Sequence, residues 1–145
     1  VTEIAFHFGV ADKMGYVGRL LRKAHFSNAR LLVVGDAQTL NQVDNALWGL
    51  SPTEFVPHCR AAAEPFVLAR SSIVLAELSE TRPGAFSVLL NLAPEIPVGY
   101  QEFARVIEVV GQQEGDRQQA RQRWKGYAAE GHSIVRHDVA GRPPA

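Results

Sequence analysis

The run Arg30-Leu-Leu-Val-Val34, closed by Gly35 and Asp36, constrains this chain more than any other stretch. Its apolar residues are continuous, so it has no polar face to offer to water. Such runs suit a strand covered on both sides, as in a parallel sheet. The flanking sequence supplies the covering helices. Asp12 is placed to cap a helix to about His25, with Met14, Val17, Leu21 and Ala24 at three- and four-residue steps. A second helix fits residues 37–50, with Leu40, Val43, Leu47 and Leu50 as its stripe. Upstream, Thr2–Phe8 alternates Ile4, Phe6 and Phe8 with Glu3, Ala5 and His7, which reads as a strand ended by Gly9. Strand, helix, strand, helix is the signature of an α/β domain.

The rest of the chain continues the pattern less regularly. Residues 51–71 read as a long connection in which Pro52, Pro57 and Pro65 restrict helix. Further strands are expected at Ser72–Ala76, Phe86–Leu92 and Val106–Val110, with a helical turn at Tyr100–Phe103. A final helix fits Asp116 to about Glu130, stopped by Gly131, and residues 131–145 read as a mobile tail. The 145 residues suit one domain with a real core, and no repeat or linker divides them. The expected fold is therefore α/β: a single three-layer domain, residues 1–145, around a mostly parallel sheet.

Charge and cysteine usage narrow the function classes. Fifteen basic residues balance fifteen acidic ones. That argues against a protein gripping nucleic acid through phosphate neutralisation, and against a polybasic membrane binder. The balance hides an asymmetry. Residues 1–35 carry five basic and two acidic groups, residues 36–102 three and eight, and residues 103–145 seven and five. The single Cys59 cannot form an internal disulfide or a cysteine-based zinc cluster, which fits a reducing, cytoplasmic setting. No stretch nears the roughly 18 apolar residues of a membrane span. The opening residues lack a charged-then-apolar targeting pattern, and a start at Val1 implies trimming or renumbering.

Catalytic and cofactor motifs are missing. Gly35 lacks the glycine-rich context of a dinucleotide site or P-loop, and no nucleophile elbow occurs. The five histidines show no metal-ligand spacing. His58 and Cys59 are adjacent, and neighbours in sequence seldom aim side chains at each other, so a structural thiol is expected. Neither cofactor nor metal is expected.

Two features stand out. Trp48 lies one residue past the stripe position Leu47, rotated about 100° from it, and is followed by Phe55-Val-Pro-His58 in a proline-bounded loop. They either close a core edge or offer an aromatic partner site. In the last helix, Arg117, Arg121 and Lys125 form one row, with Ala120, Trp124 and Ala128 beside it. A basic row next to an aromatic can make a shallow apolar pocket with a cationic rim, suited to a carboxylate beside an apolar side chain. Alternatively, the row is solvated while Trp124 and Tyr127 are buried.

At these residues the sequence resembles the chi subunits of bacterial DNA polymerase III holoenzyme. The resemblance rests on Ala46-Leu-Trp48, Phe55-Val-Pro-His58, Thr2–Phe8, Leu20-Leu-Arg-Lys-Ala24, Val88–Leu92, Val106–Val110, and Arg121 with Arg123-Trp-Lys125 and Tyr127. It runs from about Thr2 to Gly131. It implies a non-catalytic adaptor, Rossmann-like without a nucleotide site, associated with the clamp loader. The implied partners are the psi subunit and the acidic C-terminal tail of single-stranded DNA-binding protein, which ends in an apolar aromatic with a free carboxylate. The tail site would use Val110, Arg121, Trp124 and Lys125. Ala128 stands where a further Arg can occur. The face for psi, and for an alternative repair helicase, would use Trp48 and Phe55. Other function classes remain open from the residues themselves: a small nucleotide-dependent enzyme at Gly35-Asp36, or a direct binder of single-stranded DNA.

Overall fold

A computed structural model describes residues 2–49, 56–81, 84 and 86–139. Its strands are β1 (Glu3–Val10), β2 (Leu31–Val34), β3 (His58–Arg60), β4 (Ile73–Ala76), β5 (Val88–Asn91), β6 (Arg105–Gly111) and β7 (Ile134–Asp138). The helices are α1 (Lys13–Phe26), α2 (Ala37–Trp48), α3 (Pro65–Arg70) and α4 (Glu114–Ala129). The strands form one sheet in the order β3-β4-β2-β5-β6-β1-β7, and every pairing is parallel. The three-layer α/β fold expected from the sequence is the fold observed.

β2 lies in the sheet interior, buried throughout, as its unbroken apolar run requires. Leu31 and Val33 face α1 and α2, meeting the stripe residues Val17, Leu21, Leu40, Val43 and Leu47. Leu32 and Val34 face the opposite layer, with Val106, Val110, Tyr100, Phe103 and Tyr127. Both covering helices start on an aspartate. Asp12 accepts from the Gly15 amide at 3.1 Å and Asp36 from the Thr39 amide at 2.7 Å. The Thr39 amide holds the Asp36 carboxyl below its ordinary value.

Connection direction decides which face each helix covers. The chain passes from β1 to β2 and from β2 to β3 towards one edge of the sheet, and both connecting helices lie on the first face. It returns from β3 to β4 and moves from β6 to β7 towards the other edge. Leu68 of α3 and Tyr127 of α4 pack on the second face. That is the pattern a constant crossover hand imposes. β1 and β6 are neighbours whose following helices depart in opposite directions on opposite faces, so a crevice opens at their C-terminal ends.

Two sequence expectations are corrected. The 51–71 connection holds β3 and α3 within its described part. β3 is only three residues long, too short for a periodicity. Pro65 sits in the first turn of α3, where its missing amide hydrogen costs nothing, so it begins the helix it was read as opposing. Residues 134–138, read as part of a mobile tail, pair with β1 from Ile4↔Ile134 to Phe8↔Asp138. Ile134 packs into the second core layer and Val139 against the first, which anchors this edge strand.

One polar cluster is sealed inside. Glu108 of β6 is fully buried and accepts from Arg123 Nε at 2.9 Å, Tyr127 Oη at 2.7 Å and Asn91 Nδ2 at 2.8 Å. Burial pushes its carboxyl up, while Arg123, then Asn91 and Tyr127, pull it down. The same burial, reinforced by the Glu108 carboxylate, pushes the Tyr127 phenol up. Arg123 also donates to the Pro94 carbonyl at 3.2 Å. Removing one member strands a buried charge, so Arg123→Met is expected to cost about 3–5 kcal/mol in urea unfolding. Adding Glu108→Gln is expected to recover part of that loss, because an amide carries no stranded charge and still accepts from Tyr127. A double variant whose loss equals the sum of the Arg123→Met and Glu108→Gln losses would show that the pair is not coupled.

Candidate functional site

A groove of about 830 Å³ lies at the C-terminal ends of β1, β6 and β7, walled by α4. It lies at the crevice that the opposed connections leave. Its floor is apolar and aromatic: Phe6 and Phe8 of β1, Val110 of β6, and Ala120 and Trp124 of α4. Its rim is cationic: Arg117, Arg121 and Lys125 of α4 and Arg136 of β7. Gly9 and Asp138 complete the lining near the sheet edge, with Gly111 and Gln112. The positive φ of Gly9, 74°, accommodates the shift in β1 register between His7 and Val10 at the groove's end.

The helix presents these residues because of what it buries. Ala120, Arg123 and Tyr127 point inwards at three- and four-residue steps. Arg121 and Lys125 then fall to one side, and Trp124 sits half-buried at the seam, its ring 5.0 Å from Phe6. Asp116 fixes the first turn. Its carboxylate accepts from the Gly111 amide at 2.7 Å and pairs with Lys13 Nζ at 3.0 Å. Arg121 and Arg117 both approach Glu114, at 3.3 and 3.6 Å, on an exposed surface. Lys125 has no ion-pair partner among the described residues. Arg136 lies over two rings, 5.3 Å from the Phe8 centroid and 5.6 Å from that of Trp124.

This arrangement can hold an anion with an apolar group attached. Guanidinium forks take a carboxylate in two parallel hydrogen bonds, and the aromatic floor supplies area for the apolar part. The four residues named for a tail site from the sequence, Val110, Arg121, Trp124 and Lys125, all line this groove. Ala128 is exposed on α4 and takes no part in the lining. Sequence reasoning missed Phe6 and Phe8 as companions because only the fold brings β1 against α4, and Arg136 and Asp138 because β7 was not recognised. The β-branched Ile134-Val135 beyond the helix stop was the available signal.

The other named residues lie apart from the groove. Trp48, at the end of α2, is 61% exposed, with its ring edge-on to His58 at 5.2 Å. Phe55 lies outside the described residues. The His58 ring nitrogens are both engaged, Nδ1 2.7 Å from the Val56 carbonyl and Nε2 2.6 Å from an Asp44 carboxylate oxygen, so its ring serves the fold and not Cys59. At the Gly35-Asp36 turn, the Asp36 carboxylate itself occupies the start of α2, where a phosphate would have to sit. Among the described residues, no three metal-ligating side chains cluster, and no helix is long and apolar enough to cross a membrane.

The sequence model of the family described as "DNA polymerase III chi subunit, HolC" matches residues 1–135. The chain belongs to the DNA polymerase III chi subunit family. It is similar to the DNA polymerase III subunit chi of Haemophilus influenzae, 30% identical over 107 residues, which cover 72% of this chain and 70% of that protein. It is also similar to the subunit chi of Pseudomonas aeruginosa, 28% identical over 120 residues, covering 82% and 81%. Within this chi-family chain, the groove depends on the anchored first turn of α4. Asp116→Ala is expected to cost about 1–2 kcal/mol, the worth of a charge-assisted bond to an amide. Amide hydrogen exchange should accelerate first at Arg117–Gln119, whereas uniform acceleration across α4 would place the anchor elsewhere.

Proposed function

We propose that this chain is a non-catalytic accessory subunit of the replicative DNA polymerase holoenzyme. It bridges the psi subunit, and through it the clamp loader, to the acidic C-terminal tail of single-stranded DNA-binding protein. It works in the cytoplasm at the replication machinery. The observation that carries this reading is the groove, which joins a cationic rim to an aromatic floor on a chain of zero formal net charge. A tail ending in an apolar aromatic with a free carboxylate matches both halves: Arg121 takes the terminal carboxylate, Lys125 adds charge, and Val110 and Trp124 receive the ring. Each contact is modest, and many tails on coated DNA raise the effective concentration. The second contact is the exposed Trp48 with Phe55, which serve the psi-binding face and, in turn, a repair helicase.

The direct test is calorimetric titration of a tail peptide. Arg121→Ala is expected to weaken binding about tenfold, as for loss of a charge-assisted contact, and binding should weaken with salt. Equal affinities would overturn the assignment of Arg121. Glu114 competes with the ligand for Arg117 and Arg121, so Glu114→Gln is expected to tighten the peptide about two- to fivefold, the value of an exposed pair. Trp48→Ala should lose psi in pull-down while keeping the tail and a wild-type circular dichroism spectrum. Retained psi binding would remove Trp48 from that face.

A further inference from the structure

The fourth cation of the groove comes from β7, and its setting differs from the other three. Arg136 sits in register with Phe6 across the parallel β1/β7 pair, so its side chain rises on the same face as the aromatic floor. Its guanidinium lies over the rings of both Phe8 and Trp124. Among the described residues it has no carboxylate partner, whereas Arg117 and Arg121 share Glu114.

A guanidinium stacked on aromatic faces loses water from its flat sides only. Its N–H donors lie in the plane and stay available, and stacking fixes the direction in which they point. The two rings confine the guanidinium to the groove's sheet side, across from the helix row that carries Arg121 and Lys125. Confining it beforehand lowers the ordering cost of binding. We infer that Arg136 is a specificity-determining residue of the groove: it reads an acidic side chain of the bound peptide, while Arg121 reads the terminal carboxylate. This rests on the proposed tail-binding reading and extends it, because a single cationic row would recognise any terminal carboxylate beside an aromatic. Two opposed forks require a second carboxylate upstream of the first.

The experiment crosses protein variants with peptide variants. Wild type, Arg136→Gln, Arg136→Lys and Arg121→Gln are each titrated with three peptides: an acidic peptide with a free terminal carboxylate, its C-terminal amide, and a version with its internal acids changed to amides. For the first peptide, Arg136→Gln is expected to bind roughly five- to tenfold more weakly, the range for a charge-assisted contact at a half-open site. It should be nearly blind to internal neutralisation yet still sensitive to the terminal amide. Arg121→Gln should show the reverse. Arg136→Lys should recover less than half of the affinity lost on a logarithmic scale, because an ammonium neither stacks as a plane nor forks. Unchanged affinity in Arg136→Gln, or coupling of Arg136 to the terminal amide, would overturn the inference while leaving tail binding intact. Failure of wild type to bind the first peptide would instead overturn the tail reading on which it rests.

Discussion

The buried pair between Glu108 and Arg123 fixes how α4 sits on the sheet. A carboxylate at the centre of a strand covered on both faces has no water to turn to, so its partners must come from the covering layer. Arg123, Tyr127 and Asn91 supply them, and together they join α4, β6 and β5. Such a pair adds little net stability over an apolar substitute, but it fixes geometry. With Arg123 turned inwards, the rotation of α4 is set, and with it the outward placement of Arg121, Trp124 and Lys125. The groove's cationic rim follows from a charge that the groove itself never exposes.

Topology supplies the second half of the site. Opposite departures from β1 and β6 create the crevice, and β7 closes its far side by pairing with β1. The same crevice serves nucleotides in other doubly wound sheets when a glycine-rich turn offers bare amides. Here the strand-to-helix turn at Gly35-Asp36 is blocked by its own capping carboxylate. The fold therefore keeps the customary position for a ligand but lines it with arginine forks and aromatic rings instead of helix-terminal amides.

Much of this was legible in the sequence. The interior strand β2, the capped helices α1 and α2, and the basic row of α4 all follow from apolar continuity, aspartate caps and helical spacing. What escaped depends on distant partners. Glu108 was passed over within the expected strand Val106–Val110, and only the fold shows it buried with Arg123 as the cation that answers it. Arg136 and Asp138 belong to a strand whose period is weak, because it lies at the sheet edge with every residue exposed or half-buried. Pro65 was read as a helix breaker, although a proline in the first turn is a helix starter. The meaning of Glu108 and Arg136 is set by neighbours far along the chain, and that of Pro65 by its place in the first turn of α3.

The position of β1 has a consequence for synthesis. It precedes the other described strands in the chain, yet its sheet neighbours are β6 and β7, which follow it by about a hundred residues or more. Until Arg105–Gly111 has been made, Ile4 and Phe6 have no parallel partner to pair with. Contacts that join the chain's opposite ends close slowly, and an unpaired apolar strand is open to wrong associations meanwhile. A nascent chain thus carries β1 as an unpaired apolar strand until β6 is made, and the groove cannot close before β7 pairs with β1.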